Sequence, residues 1–176
     1  WAFRGDDPDH HQVGQAEAGG WSAAVNEAPP GYLAFGPYVS LPEGPTTVSF
    51  QLMVDVVDAG DDLVATLDIF DATSQQVVDT RNLTRSQFPG AFEYGTFSME
   101  FTQEPDHVME FRVFWHGSSY VRLGDRGISQ GWAPFVDQRL ASFPGVWKQD
   151  ETWYLVYECA GLSEEWPGDV CLSTSS

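Results

Sequence analysis

Residues 31–55, GYLAFGPYVSLPEGPTTVSFQLMVD, constrain the fold more than any other stretch of this chain. In the second half Val48, Phe50, Leu52 and Val54 alternate with Thr47, Ser49, Gln51, Met53 and Asp55. Successive side chains of a strand face opposite sides, so a period of two marks a strand with one buried face. The first half is aromatic and punctuated by Gly and Pro. It reads as a preceding strand, with Leu41-Pro42-Glu43-Gly44-Pro45 as the turn that joins the two into a hairpin.

The same alternation recurs downstream. Leu63, Ala65, Leu67 and Ile69 alternate with Val64, Thr66, Asp68 and Phe70. Phe97, Met99 and Phe101 follow the rule, and Met109, Phe111, Val113 and Trp115 alternate with Glu110, Arg112, Phe114 and His116. Short strands divided by turn residues predict an all-β fold, an antiparallel β-sandwich of jelly-roll-like type. Residues 1–30 read as an N-terminal arm with the first loops, 31–126 as the sandwich core, and 127–176 as an irregular, aromatic-rich extension. That extension holds four of the seven Trp, both cysteines, a short helix at 134–142 and a strand at 152–159. It is too short to fold alone and is expected to pack on the sandwich or on a protein partner.

Acidic residues number 26 against 8 basic ones, for a net charge of −18. Phosphate backbones are held by clustered Lys and Arg, so nucleic acid is excluded as a partner. No run approaches the roughly 20 apolar residues of a membrane-spanning helix. A chain that starts at Trp1 without an initiator methionine reads as already processed. Together with the acidity and the Asn82-Leu83-Thr84 sequon, a glycosylation site at Asn82, this points to a secreted, extracellular or periplasmic protein. In that setting Cys159 and Cys171 form one disulfide, and two reduced thiols are the alternative. Asp6, Asp7, Asp9, His10 and His11 are residue types that ligate divalent cations, and otherwise read as a solvated arm.

The segments Gly31-Tyr32-Leu33-Ala34-Phe35-Gly36-Pro37-Tyr38, Leu41-Pro42-Glu43-Gly44 and Val48-Ser49-Phe50-Gln51-Leu52 are followed by Leu67-Asp68-Ile69. Later come the strand at residues 109–117 and a closing Arg122-Leu123-Gly124-Asp125-Arg126. Over roughly residues 12–126 this order resembles the secreted carbohydrate-binding modules of the galactose-binding-like jelly-roll type. The resemblance implies a non-catalytic β-sandwich that binds a glycan or polysaccharide, and the net charge of −18, which repels uronates and sulfated glycans, points to a neutral one. The resemblance also implies a structural calcium held by Glu17, in Gln15-Ala16-Glu17, and by Asp125. The acidic turn at residues 55–62 is the alternative calcium site.

Sugars are recognised by aromatic rings against their C–H faces, framed by polar groups that read hydroxyls. The candidates are Trp21, Tyr32, Tyr38, His116, Tyr120 and Arg122, with Phe114 beside them and Trp115 assigned to the core. Two other classes compete with this reading. One is a structural subunit of an extracellular or periplasmic assembly, docking through its aromatic-rich tail. The other is a small glycosidase using a carboxylate pair such as Asp68 and Glu110. Gly127-Ile128-Ser129-Gln130-Gly131 spells a nucleophile elbow, but every histidine precedes Ser129 and no strand-to-helix pattern surrounds it, so no catalytic residue is assigned.

Overall fold

Alternation along the chain becomes two facing antiparallel sheets. The structure, a computed structural model, describes residues 2–5 and 10–130, together with the backbone of three strands at 142–149, 152–159 and 169–175. The strands of the sandwich are β1 (Ala2–Phe3), β2 (Gln15–Glu17), β3 (Gly20–Ala23), β4 (Gly31–Ala34), β5 (Pro37–Ser40) and β6 (Gly44–Val54). They continue as β7 (Leu63–Asp71), β8 (Gln76–Thr84), β9 (Gly95–Gln103), β10 (Val108–Trp115) and β11 (Val121–Gln130). A six-stranded sheet runs β2-β3-β11-β6-β9, with β1 also paired to β11. A five-stranded sheet runs β4-β10-β7-β8, with β5 also paired to β10.

Most inward positions are those that the alternation predicts, but at the start of β7 Leu63 is exposed and Val64 is buried, where the β7–β8 register shifts. Val48, Phe50, Leu52 and Val54 of β6 are fully buried, as are Leu67 and Ile69 of β7 and Phe111, Val113 and Trp115 of β10. They form one apolar cluster with Phe97, Met99 and Phe101 of β9. Two faces with period-two apolar residues can satisfy themselves only against each other, which gives the sandwich its single core.

Three readings of the sequence need correction. The hairpin at residues 31–55 does not exist, because β4 and β5 pair with β10 while β6 lies in the opposite sheet between β11 and β9. Residues 41–43 therefore carry the chain from one sheet to the other, and Leu41 is buried at the crossing. Residues 1–30 are more than an arm, since β1 and β3 pair with β11 and β2 pairs with β3. The core also runs past residue 126, because β11 pairs with β6 as far as Gln130. Ser129 lies within this antiparallel strand, opposite Thr47, which removes the elbow reading.

A second compact unit, residues 132–176, contains a three-stranded sheet of β12 (Ser142–Gln149), β13 (Thr152–Cys159) and β14 (Asp169–Ser175). The strand expected at 152–159 is present. The helix expected at 134–142 falls on residues 134–141 outside the described ones and on Ser142, the first residue of β12. Cys159 opposes Asp169 and Cys171 opposes Tyr157, so the cysteines occupy neighbouring strands two residues out of register. Their side chains, and residues 6–9, lie outside the described residues.

The β7–β8 turn is fixed by Asp71, whose carboxylate accepts from the Thr73 and Ser74 N–H groups, the Ser74 hydroxyl and His107 Nδ1. Burial pushes this carboxyl up, but the bonds from Ser74, His107 and Thr73 outweigh it and bring it to about 2. A carboxylate depressed below its unfolded value of 3.8 stabilises the fold fully above that value and loses the contribution as pH falls toward the folded value. The chain is expected to lose on the order of 2 kcal/mol between about pH 4 and pH 2 from this group alone. Denaturant curves of Asp71→Asn, less stable at neutral pH and flatter across that window, check the assignment.

Candidate functional site

Alternation that buries Phe111, Val113 and Trp115 turns Glu110, Arg112, Phe114 and His116 outward along β10. The register aligns them with the neighbouring strands in cross-strand rows. Phe114 lies between Tyr32 of β4 and Thr66 of β7, and Thr66 faces Asn82 of β8. In the next row Arg112 faces Asp68, which faces Thr80. Glu110 then faces Phe70. Same-face residues repeat at about 6.8 Å along a strand, so Glu110 to His116 spans about 20 Å on a rigid support.

The rings and polar groups on this face are interleaved. Tyr32 and Phe114 meet edge to face at 5.3 Å, and Phe114 meets His116 at 5.2 Å. The Arg112 guanidinium carbon sits 4.0 Å from the Phe70 ring centroid and 5.2 Å from that of Tyr32. Its Nε donates to Asp68 Oδ1 at 2.5 Å. Burial holds the Asp68 carboxyl above its usual range despite that partner. His116 Nε2 lies 2.8 Å from Thr66 Oγ1, whose hydroxyl donates to Asn82 Oδ1 at 2.8 Å. The imidazole therefore donates from Nε2, and burial pushes its pKa down, in favour of the neutral form.

Tyr38 closes the other end of the face. Its φ of +62° lies in the left-handed region, which a bulky side chain rarely adopts, and the residue is 49% exposed. Such outliers persist where the surroundings over-determine them, and they collect at functional sites. Desolvation, then the charge of Glu110, push the Tyr38 phenol up. Glu110 itself is buried and accepts from the Gly36 N–H at 3.3 Å.

Of the sequence candidates, Tyr32, Tyr38 and His116 share this face. Trp21 and Arg122 do not, because β3 and β11 belong to the other sheet, and Tyr120, just before β11, bonds to Glu17 of that sheet. Trp21 packs against the core, donates from Nε1 to Val13 O at 2.9 Å, and has one ring face covered by His11 at 3.9 Å. Tyr120 donates to Glu17 Oε2 at 2.6 Å, and Arg122 reaches Glu17 Oε1 at 3.5 Å and covers Tyr94 at 5.4 Å. Desolvation, then that hydrogen bond, push the Tyr120 phenol up to about 12. The residues that sequence reasoning left out of the site are Phe70, Arg112, Thr66 and Asn82. Phe70 and Arg112 stood in plain sight at outward positions of alternating strands.

The calcium expectation meets a poor fit. Both carboxylate oxygens of Glu17 are committed, one to a hydroxyl and one to a guanidinium that repels a dication, while Asp125 accepts from the Gly5 N–H at 3.2 Å. In the alternative turn Asp55 accepts from Ser119 Oγ, and Asp58 takes the Gly60 N–H and Arg85. No group of three or more metal-ligating side chains is found among the described residues. Hard-cation sites gather several oxygens around one point, which these residues do not. The melting temperature is expected to be the same in EDTA as in millimolar calcium, which differential scanning calorimetry checks.

Asp68 and Glu110 are likewise committed, one to Arg112 and one to a backbone N–H. One oxygen of each carboxylate is thus held by a neighbour within the fold. The docking role expected for residues 127–176 concerns, past residue 130, side chains outside the described residues.

No family model matches the chain, and no curated protein matches it. Among solved structures, it is similar to the C-terminal CBM6 of LamC, a marine laminarinase from Zobellia galactanivorans. The identity is 10% over 74% of this chain and 98% of that one, with a TM-score of 0.48. It is also similar to the carbohydrate-binding module CBM6cm-2 of Cellvibrio mixtus lichenase 5A, solved with cellotriose. There the identity is 11% over 75% and 98%, with a TM-score of 0.47. The sugar-binding C-terminal domain of EclA matches at 13% identity over 70% and 88%, with a TM-score of 0.41. These three are carbohydrate-binding modules or sugar-binding domains by their descriptions, the class that the sequence resembles.

Proposed function

We propose that this protein is a non-catalytic carbohydrate-binding β-sandwich that takes a neutral glycan on the outward face of β4, β10, β7 and β8. The observation that carries the reading is the interleaving of half-buried rings (Tyr32, Phe70, Phe114) with groups that donate and accept hydrogen bonds (Arg112, Asp68, His116). Rings supply apolar contact to sugar C–H faces, and the polar groups between them read hydroxyls. Because these side chains stand on paired strands and not on loops, little ordering is needed when a ligand binds.

The proposal includes a secreted or periplasmic setting, in which Cys159 and Cys171 are oxidised to one disulfide. Among the described residues no helix is long and apolar enough to cross a membrane. Asn82 is exposed and bonded to Thr66 on the same face, so a glycan attached at its sequon would compete with the ligand for that surface.

A wet site on a rigid scaffold is expected to bind with micromolar to millimolar affinity, about 4 to 8 kcal/mol. Calorimetry against neutral oligosaccharides chosen from a glycan array measures it. Phe114→Ala and Tyr32→Ala are each expected to weaken binding about tenfold, roughly 1.4 kcal/mol, with the fold intact. Absence of neutral-glycan binding, or binding indifferent to both changes, overturns the proposal.

A further inference from the structure

We infer that Asp68 is the specificity-determining residue of this face: by neutralising Arg112 it confines the site to uncharged, hydroxyl-bearing sugars and excludes carboxylated ones. The inference rests on the binding face proposed above and goes on to name what selects its ligand.

Arg112 is the one permanent cation at the outward positions of the described strands β4, β5, β7, β8 and β10, so the charge class of any ligand depends on how it is compensated. Its Nε is taken by Asp68, and its plane is fixed between Phe70 and Tyr32. Among the described residues no partner is found for its terminal nitrogens. A planar guanidinium is the usual fork for a carboxylate, which it grips with two parallel bonds. Here, however, the buried carboxylates of Asp68 and Glu110 stand beside it on the same face. One guanidinium against two carboxylates leaves the local charge negative, and an incoming uronate would meet repulsion at close range. A sugar hydroxyl meets none. It accepts from the Arg112 terminal N–H and donates to the second oxygen of Asp68, so that the pair offers a donor and an acceptor to neighbouring hydroxyls.

The overall charge of −18 also repels anionic glycans, and salt separates the two causes. At 1 M salt the screening length falls to about 3 Å, which suppresses the distant charges but not a carboxylate in contact with the guanidinium. Calorimetry of the wild-type chain with a neutral oligosaccharide and its uronic-acid counterpart is expected to show at least a tenfold preference for the neutral one, persisting at 1 M salt. Asp68→Asn, which keeps the shape and removes the charge, is expected to shift the uronate-to-neutral affinity ratio at least tenfold toward the uronate. Adding Arg112→Gln to that variant is expected to cancel the gain. A wild-type preference that vanishes at 1 M salt, or an unchanged ratio in a folded Asp68→Asn variant, overturns the inference while leaving the binding face standing. If the wild-type chain binds neither sugar, the binding face itself falls and the inference with it. Should Asp68→Asn not fold, the wild-type salt series alone decides.

Discussion

Replacing Trp115 by alanine is expected to cost about 3–5 kcal/mol, the range for deleting a large aromatic side chain from a packed core. Trp115 is fully buried at the end of β10, and its indole Nε1 donates to Ser119 O at 2.8 Å. That bond ties the ring to the loop which delivers the chain from β10 to β11, so the alanine variant loses a loop anchor as well as volume. The same loop is held by Ser119 Oγ on Asp55 and by Arg85 on Ser118 O, so neighbouring contacts limit collapse into the cavity. Trp115→Phe keeps most of the apolar contact and is expected to cost about 1–2 kcal/mol, mainly the orphaned Ser119 carbonyl. Urea unfolding followed by circular dichroism measures both. A cost for the alanine variant below about 2 kcal/mol would mean that the site collapses freely and that the indole is not a core anchor.

Much of this architecture is legible in the order of apolar residues, and the exceptions have physical causes. Period-two alternation places Phe50, Leu67, Phe111 and Trp115 in the core, because one-sided burial is what selects such a pattern. The same alternation names Phe70, Arg112, Phe114 and His116 as outward neighbours before any pairing is known. What alternation does not carry is which strand lies beside which. Leu41-Pro42-Glu43-Gly44-Pro45 has the composition of a hairpin turn and also that of a crossing between sheets. Only the pairing of β5 with β10 and of β6 with β9 distinguishes them.

The candidate site depends on that missing information. Tyr32 and Phe114 belong together because β4 pairs with β10, whereas an aromatic ring in a turn-rich segment, as at Trp21 and Tyr120, does not say which sheet it lies on. Glu17 illustrates the same limit for the calcium expectation. Its neighbours Tyr120 and Arg122 lie more than a hundred positions away in the chain, and they turn a prospective ligand into a hydrogen-bonded ion pair. The Asp68–Arg112 contact is similarly a product of register, since the two residues face each other only once β7 and β10 are aligned.

Arg126→Ala is expected to destabilise the sandwich by about 2–4 kcal/mol, a large effect for a residue on the chain's last sandwich strand. Arg126 is 3% exposed and belongs to the six-stranded sheet, yet its Nη1 donates to Phe111 O at 2.9 Å in the five-stranded one. The same nitrogen lies 3.4 Å from both Phe35 O and Gly36 O, at the break between β4 and β5. One guanidinium therefore reaches carbonyls at the β4–β5 break and on β10, and it ties the two sheets together. Alanine removes the donor and leaves a void. Methionine fills the void without a donor, and lysine keeps the charge but not the planar fork. A buried charge also costs desolvation, so Arg126→Met is expected to lose less than Arg126→Ala by the cavity contribution. Arg126→Lys is expected to fall between wild type and Arg126→Ala. Denaturant midpoints for the three variants test the order. If Arg126→Ala lies within about 0.5 kcal/mol of wild type, the guanidinium does not join the sheets, and the β4–β5 break is held by its other bonds: Phe111 N–H to Gly36 O, Phe35 N–H to His10 O and Gly36 N–H to Glu110.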